Sequence, residues 1–206
     1  ARLLARCGSD APMQPYHEHN AARMRPRLLA RLAAGERIAL VSDAGTPLIS
    51  DPGLKLVQAA IEAGHAVTVV PGPNAALAAL LLSGLATDRF LFAGFLPNKS
   101  AARRTALQEL AAVKATLIFY ESPARLAATL KDAAEVLGDR PAAVARELTK
   151  LYEEVRRGRL SELAAAYAEA PKGEVTLVIG PRGDAAPVLD EASLDARLDA
   201  ALATHT

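Results

Sequence analysis

Short apolar, largely β-branched runs at 37–42 (RIALVS), 66–70 (AVTVV), 90–93, 116–120 (TLIFY), 142–146 and 174–179 (EVTLVI) punctuate the chain. Their length and composition predict buried strands. Between them, apolar residues recur with helical spacing at 24–34, 52–63, 75–82, 101–113, 123–137 and 160–169. Strand and helix therefore alternate, which predicts an α/β fold with mostly parallel pairing. Helix punctuation agrees: Ser50, Asp51 and Pro52 supply a capping side chain and a proline where a missing N–H costs nothing, and Gly64 closes the same segment. Asn74 and Ser122 are placed to cap the next helices. Pro97 and the polar stretch Asn98, Lys99, Ser100 predict a linker between two α/β halves, 1–96 and 97–182. A second linker, PRGDAAP at 181–187, precedes an amphipathic stretch at 189–202, so 183–206 reads as the opening of a small helical domain. No repeat of fixed period is visible.

Composition narrows the chemistry. The 206 residues are 51% hydrophobic and 23% charged, enough apolar material for a packed core. Lys and Arg (24) against Asp and Glu (23) leave a net charge of +1, so a nucleic-acid partner has to be argued locally rather than from bulk charge. Aromatic residues are 4% and Trp is absent, which limits base stacking to one or two positions. The single cysteine, Cys7, excludes an intrachain disulfide and a cysteine zinc site, and fits a reducing cytoplasm. Residues 1–7 lack the continuous apolar core of a signal peptide, and the longest apolar run, 75–82, is far below the roughly 20 residues that span a bilayer. The expectation is a cytoplasmic protein without a membrane segment.

In open sheets, ligands gather beyond the carboxyl ends of strands, which gives three glycine- and proline-rich loops particular weight. Asp43, Ala44, Gly45, Thr46 and Pro47 follow the first run; Gly45 permits positive φ, Pro47 stiffens the turn, and Asp43 and Thr46 offer polar groups. A tight turn that merely caps a helix would look similar. Pro71, Gly72, Pro73, Asn74 and Ala75 leave the second run as a rigid shelf before a helix start, whose free N–H groups can hold polar ligand atoms. Gly94, Phe95 and Leu96 end the third, either lining a cleft or simply connecting domains. No G-x-G-x-x-G or P-loop pattern is present.

Taken together, VSDAGTPLISDPG, PGPNA, DRFLFAGFLPNK with Arg103 and Arg104, LIFYESPARL, ARELTK and GEVTLVIG resemble, in order and spacing, the tetrapyrrole-methylase-like S-adenosylmethionine methyltransferases, in their ribosomal RNA branch. Each motif is weak by itself; six in register are specific. The resemblance covers about 16–180. It implies two α/β subdomains with a cofactor cleft between them, S-adenosylmethionine as cofactor, no metal, a homodimer, and methylation of a cytidine 2′-hydroxyl in 16S rRNA of the small subunit. It also implies a strand with a T-P-I-G-N-L loop and another bearing E-D-T-R ahead of residue 1, and a longer helical domain at the other end. The chain therefore reads as truncated at both ends, with its first strands missing.

Carried over by motif, Asp43 to Pro47, Pro71 to Ala75, Gly94 to Leu96, Tyr120, Leu148 and Thr149 would contact the cofactor. A ribose hydroxyl is a poor nucleophile until its proton is removed or its charge is stabilised, and Glu121, Glu147 and Lys150 are the candidates for that step. Glu147 and Lys150 could equally pair with each other. Arg103, Arg104, Arg125 and Arg146 are candidates for RNA phosphate, along with Lys99, Arg156, Arg157, Arg159 and Lys172, although such residues are commonly a solvated face. His17 and His19, in the family's HEHN run, would face substrate or the dimer contact; with no third ligand nearby in sequence, a metal is not expected. Two alternatives remain: a related methylase of a corrin precursor or of diphthine, and a non-catalytic piece that dimerises or binds RNA.

Overall fold

The computed structural model describes residues 2–182, so the expected linker and helical opening at 183–206 lie outside the described residues. The chain divides into two compact units after Ala75.

The first unit contains α1 (Arg2–Arg6), α2 (Glu18–Ala33) and α3 (Leu54–Glu62). Helix α2 starts where its sequence supplies an end group: the Asn20 side-chain oxygen accepts the His17 N–H at 2.9 Å, and its amide donates to the Pro15 carbonyl at 2.9 Å. Met24 and Leu28, one turn apart, are its buried face. Gly53 opens α3 at φ +139°, a conformation that demands glycine, and an added Cβ would also have to displace the end of the Leu40 side chain.

Neither 37–42 nor 66–70 is a strand, contrary to the sequence expectation, and Val41, Val67, Val69 and Val70 stand exposed. A β-branched run specifies a segment that can be paired, but the ladder needs a second segment, and no described residue supplies one here.

The second unit is built on a five-stranded sheet in the order β1-β2-β5-β3-β4: β1 (Phe90–Phe95), β2 (Thr116–Glu121), β3 (Pro141–Arg146), β4 (Glu154–Arg159) and β5 (Val175–Ile179). Among the described residues only β1 and β2 pair in parallel, joined through α5 (Ser100–Leu110); the other three pairings are antiparallel. The expected mostly parallel sheet is thus corrected. The loop from β3 to β4 spans 147–153, too short for a parallel crossover, so it closes a hairpin. Strand β4, EVRRGR, escaped the apolar pattern because it is a sheet edge, where charged side chains discourage further pairing.

One face of the sheet packs Leu117, Phe119, Val144 and Leu177 against Leu107 of α5, Leu126 and Leu130 of α6 (Leu126–Leu137), and Leu160 and Leu163 of α7 (Leu160–Ala166). On the other face, Ala76, Ala79 and Leu80 of α4 (Ala75–Ser83) cover Ile118, Ala145 and Val178. Because β5 is antiparallel to both neighbours, β2 and β3 run the same way, and β1 follows β2. The carboxyl ends of β1, β2 and β3 therefore share one edge, where Glu121 and Arg146 both pair with Val175.

Candidate functional site

In the first unit, two of the predicted loops are drawn together by one hydroxyl. Thr46 Oγ1 donates to the Pro73 carbonyl at 2.9 Å, and Asn74 Nδ2 donates to Thr46 Oγ1 at 3.4 Å. Ser42 Oγ tightens the first loop by donating to Ala44 O at 3.0 Å, and Gly45 takes φ +71°, as its sequence suggested. Ala44, Pro47, Pro71, Gly72 and Ala75 complete the two loops. Asp43 is exposed, and its carboxylate makes no hydrogen bond or ion pair among the described residues. His17 and His19 stand exposed at the start of α2 with ring centroids 5.9 Å apart.

The second group of predicted residues lies at the shared strand edge of the second unit. Gly94, at φ +65°, interrupts the β1–β2 register, so that Phe95 pairs with Tyr120. Phe95, 58% exposed, tilts its ring over Tyr120 with centroids 5.7 Å apart, and Phe92 meets Tyr120 edge-on at 4.8 Å. Leu96, next in the chain, is buried. Side-chain alternation places Tyr120 on the α4 face and Glu121 on the opposite one. There the Glu121 side chain has no exposure and accepts three hydrogen bonds: from Ser122 N–H at 2.7 Å, Thr129 Oγ1 at 2.7 Å and Arg125 NH2 at 3.2 Å. The Arg125 guanidinium also donates to Leu96 O at 2.6 Å, to Pro97 O at 3.3 Å and to Asn98 Oδ1.

The turn after β3 carries Glu147, Leu148, Thr149 and Lys150. Glu147 and Thr149 both adopt positive φ, +50° and +64°, an unusual conformation for residues with side chains. Cross-bonds hold it: Lys150 Nζ donates to Glu147 Oε1 at 2.8 Å and Glu174 Oε2 at 2.9 Å, Glu174 N–H donates to Glu147 Oε1 at 2.9 Å, and Thr149 N–H donates to Glu153 Oε2 at 2.6 Å. Leu148 packs on the α4-face core, while Leu151 and Tyr152 project from the turn into solvent. The Lys150 ammonium, and then the Glu174 N–H, hold the Glu147 carboxyl below its ordinary value, and the two carboxylates hold Lys150 above its own.

These shifts fix a pH dependence. A carboxyl depressed by folding adds stability above its unfolded value of 4.5, and that contribution fades as pH falls through the lower folded value. The raised Lys150 contributes fully below 10.5 and loses its contribution as pH rises through its folded value. Thermal unfolding is expected to lose more stability on acidification below about pH 4.5 in the wild type than in Lys150→Met. Equal losses would mean that the pair is absent in solution.

The predicted phosphate contacts are largely engaged inside the protein. Arg103 is 3% exposed; its Nε and NH2 donate to Asp132 Oδ2 at 2.7 and 2.6 Å, and NH1 donates to Asn98 O at 3.1 Å. A guanidinium so enclosed presents nothing to a phosphate. Arg104 is exposed but pairs with Glu135 and lies 3.6 Å from Asp132. Arg146 donates to Glu154 Oε2 at 3.0 Å and Lys172 O at 3.1 Å. Arg157 donates to Leu82 O, Arg159 donates to Asp139 O, and Arg156 lies 5.7 Å over the Tyr167 ring; Lys99 and Lys172 are exposed. Thr129, Asp132, Gly173 and Glu174 were missed by sequence reasoning. For Asp132 and Thr129 a signal existed, since both lie on the apolar face of α6, where a polar side chain requires a partner.

Among the described residues, no helix is long and apolar enough to cross a membrane, and no three His, Cys, Asp or Glu side chains cluster as metal ligands would. The family model described as Tetrapyrrole (Corrin/Porphyrin) Methylases matches residues 2–164. A curated protein of Mesorhizobium japonicum, Ribosomal RNA small subunit methyltransferase I, is 55% identical over 182 residues, covering 87% of this chain and 62% of its own length. The chain therefore spans less than two thirds of that relative. A crystal structure of diphthine synthase superposes with TM-score 0.65 at 15% identity, over 86% of this chain and 72% of that one. A uroporphyrin-III C-methyltransferase from Thermus thermophilus, complexed with S-adenosyl homocysteine, gives TM-score 0.54 at 23% identity, over 86% of this chain and 80% of that one. These two likenesses show a shared fold.

Proposed function

Because this chain belongs to the tetrapyrrole (corrin/porphyrin) methylases, we propose that it serves S-adenosylmethionine-dependent methylation of small-subunit ribosomal RNA, at a cytidine ribose 2′-hydroxyl of the 16S molecule. The observation that carries this reading is the 55% identity, across 87% of the chain, to a relative named as a small-subunit rRNA methyltransferase. The corrin and diphthine alternatives rest on fold likeness at much lower identity. A cytoplasmic homodimer with rRNA as partner belongs to the same reading.

The residues present suit a sulfonium cofactor. Asp43 offers a carboxylate that has no partner among the described residues for the cofactor's positive charge or amino group, on a loop tied by Thr46 to the rigid Pro71–Asn74 shelf. Phe95 and Tyr120 offer aromatic surface at the strand edge, with Leu148 on the same face. S-adenosylmethionine supplies an electrophilic methyl group for direct displacement, chemistry that calls for no metal.

Activating the ribose hydroxyl falls to the protein. Glu121 is saturated with donors and enclosed, and Glu147 is stabilised as a carboxylate, so both are poorly matched to a base working near neutral pH. Lys150, held as a cation, is suited to stabilising charge developing on the hydroxyl oxygen. We assign it that role, with Glu147 as its orienting partner.

The test is transfer of labelled methyl from S-adenosylmethionine to small ribosomal subunits, followed by mapping of the labelled nucleotide. Label on a cytidine ribose is the expected result; label on a base or on protein defeats it. Asp43→Ala is expected to raise the cofactor Kd by about tenfold or more, as loss of a charge-assisted contact would. Calorimetry with the unaltered chain separates this reading from the non-catalytic alternative, which predicts no heat with the cofactor.

A further inference from the structure

We propose that Arg125, oriented by the buried Glu121 carboxylate, is a positioning residue that sets the cofactor-facing turn Gly94–Leu96, rather than a ligand for RNA phosphate. The inference rests on the methyltransferase reading for the identity of the ligand, but not for the mechanics of the turn.

The arrangement begins with two strand ends. β1 and β2 are parallel neighbours, so the chain leaving Phe95 passes close to the chain leaving Glu121. The chain departing from β1 presents acceptors on three successive residues: Leu96 O, Pro97 O and Asn98 Oδ1. All three are taken by one guanidinium, Arg125. The NH2 group that reaches Leu96 O also donates to Glu121 Oε2 at 3.2 Å; that carboxylate is held in turn by Thr129 Oγ1 on Oε2 and by the Ser122 N–H on Oε1. Arg103 NH1 holds the far end of the same turn through Asn98 O, and Arg103 is locked by Asp132. Among the described residues the buried Arg125 Nε has no acceptor, so the head is held through its NH1 and NH2 groups alone.

What the clamp controls is the height of Phe95. That residue is more than half exposed, and beyond its ladder pairing and ring contact with Tyr120 its position depends on the backbone on its two sides. Upstream, Gly94 gives the chain a flexible joint at φ +65°; downstream, Arg125 removes that freedom. Released from the clamp, the turn would keep its composition and lose its preformed position, and a ligand would have to order it on binding.

Three variants of the full chain test this: Arg125→Met, Arg125→Lys and Glu121→Gln. For Arg125→Met, the S-adenosyl homocysteine Kd by calorimetry is expected to weaken about tenfold. The kcat at saturating cofactor should stay within about threefold, the pattern of lost uniform binding. Amide exchange at 94–98 is expected to accelerate, while the salt dependence of RNA binding keeps its slope. Arg125→Lys, which keeps the charge but not the fork, should restore little of the affinity, and Glu121→Gln should move exchange and Kd in the same direction as Arg125→Met. Should Arg125→Met fail to fold, Arg125→Lys carries the measurement. An unchanged Kd with a shallower salt slope would make Arg125 a phosphate ligand and overturn the proposal, as would unaltered exchange at 94–98. If the wild type binds no S-adenosyl homocysteine, the methyltransferase reading fails, and exchange at 94–98 still decides whether Arg125 positions the turn.

Discussion

Replacing Asp132 by alanine is expected to lower the unfolding free energy by about 3–5 kcal/mol, because it strands a buried guanidinium. Asp132 Oδ2 is the acceptor for both Arg103 Nε and NH2, and the pair is nearly sealed from water, with side-chain exposures of 4% and 9%. Ser100 Oγ adds hydrogen bonds of 3.0 Å to both carboxylate oxygens, which ties the first turn of α5 to the middle of α6. Without the carboxylate, Arg103 keeps only its bond to Asn98 O as a strong internal contact, and its charge remains in an apolar setting. The penalty comes from this orphaned charge, not from any large net strength of the pair. The double variant Arg103→Met, Asp132→Leu is therefore expected to recover much of the loss. Urea unfolding with unchanged m-values measures both. A loss under about 1 kcal/mol for Asp132→Ala would mean that water reaches the pair, as at a surface bridge.

The sequence revealed most where a side chain's environment is local. TLIFY and EVTLVI became β2 and β5 because each buries both faces and needs no charge information to be recognised. Gly45 was placed correctly in a tight turn because positive φ is a property of the residue itself. What escaped depends on partners distant in sequence. EVRRGR reads as a solvated charge run until β3 is laid beside it, and then Arg157 reaches Leu82 O and Arg159 reaches Asp139 O. The segments 37–42 and 66–70 fail in the opposite sense, with strand-like composition but no partner segment among the described residues. At the candidate site, motif resemblance named Glu121, Arg125, Glu147 and Lys150, which lie at or just beyond the carboxyl ends of β2 and β3. It could not tell which of them were already committed to one another. That distinction follows from pleat direction: Tyr120 and Glu121 are adjacent in sequence, yet they face opposite sides of the sheet.

Gly173→Ala tests the strained turn beside that edge and is expected to impair both stability and methyl transfer. Gly173 sits at φ +98°, and an added Cβ would lie 2.4 Å from Glu147 Cγ, Cδ and Oε1. The backbone strain alone is of order 1–3 kcal/mol, and the overlap adds to it, since Glu147 cannot yield without leaving its partners. If Glu147 moves, Lys150 loses its bond to Oε1 and the Glu174 N–H loses its acceptor. The positive φ of Glu147 and Thr149 is then no longer enforced by those bonds, and the turn is free to relax to a commoner conformation. On the proposed role of Lys150 as the cation facing the ribose oxygen, displacement of this kind should lower kcat by about tenfold or more while leaving the cofactor Kd nearly unchanged. The double variant Gly173→Ala, Glu147→Ala removes the overlap but not the φ strain, so it should regain part of the stability and none of the kcat. Regained kcat in that double variant would show that Lys150 acts without Glu147 and would remove Glu147 from the orienting role assigned to it.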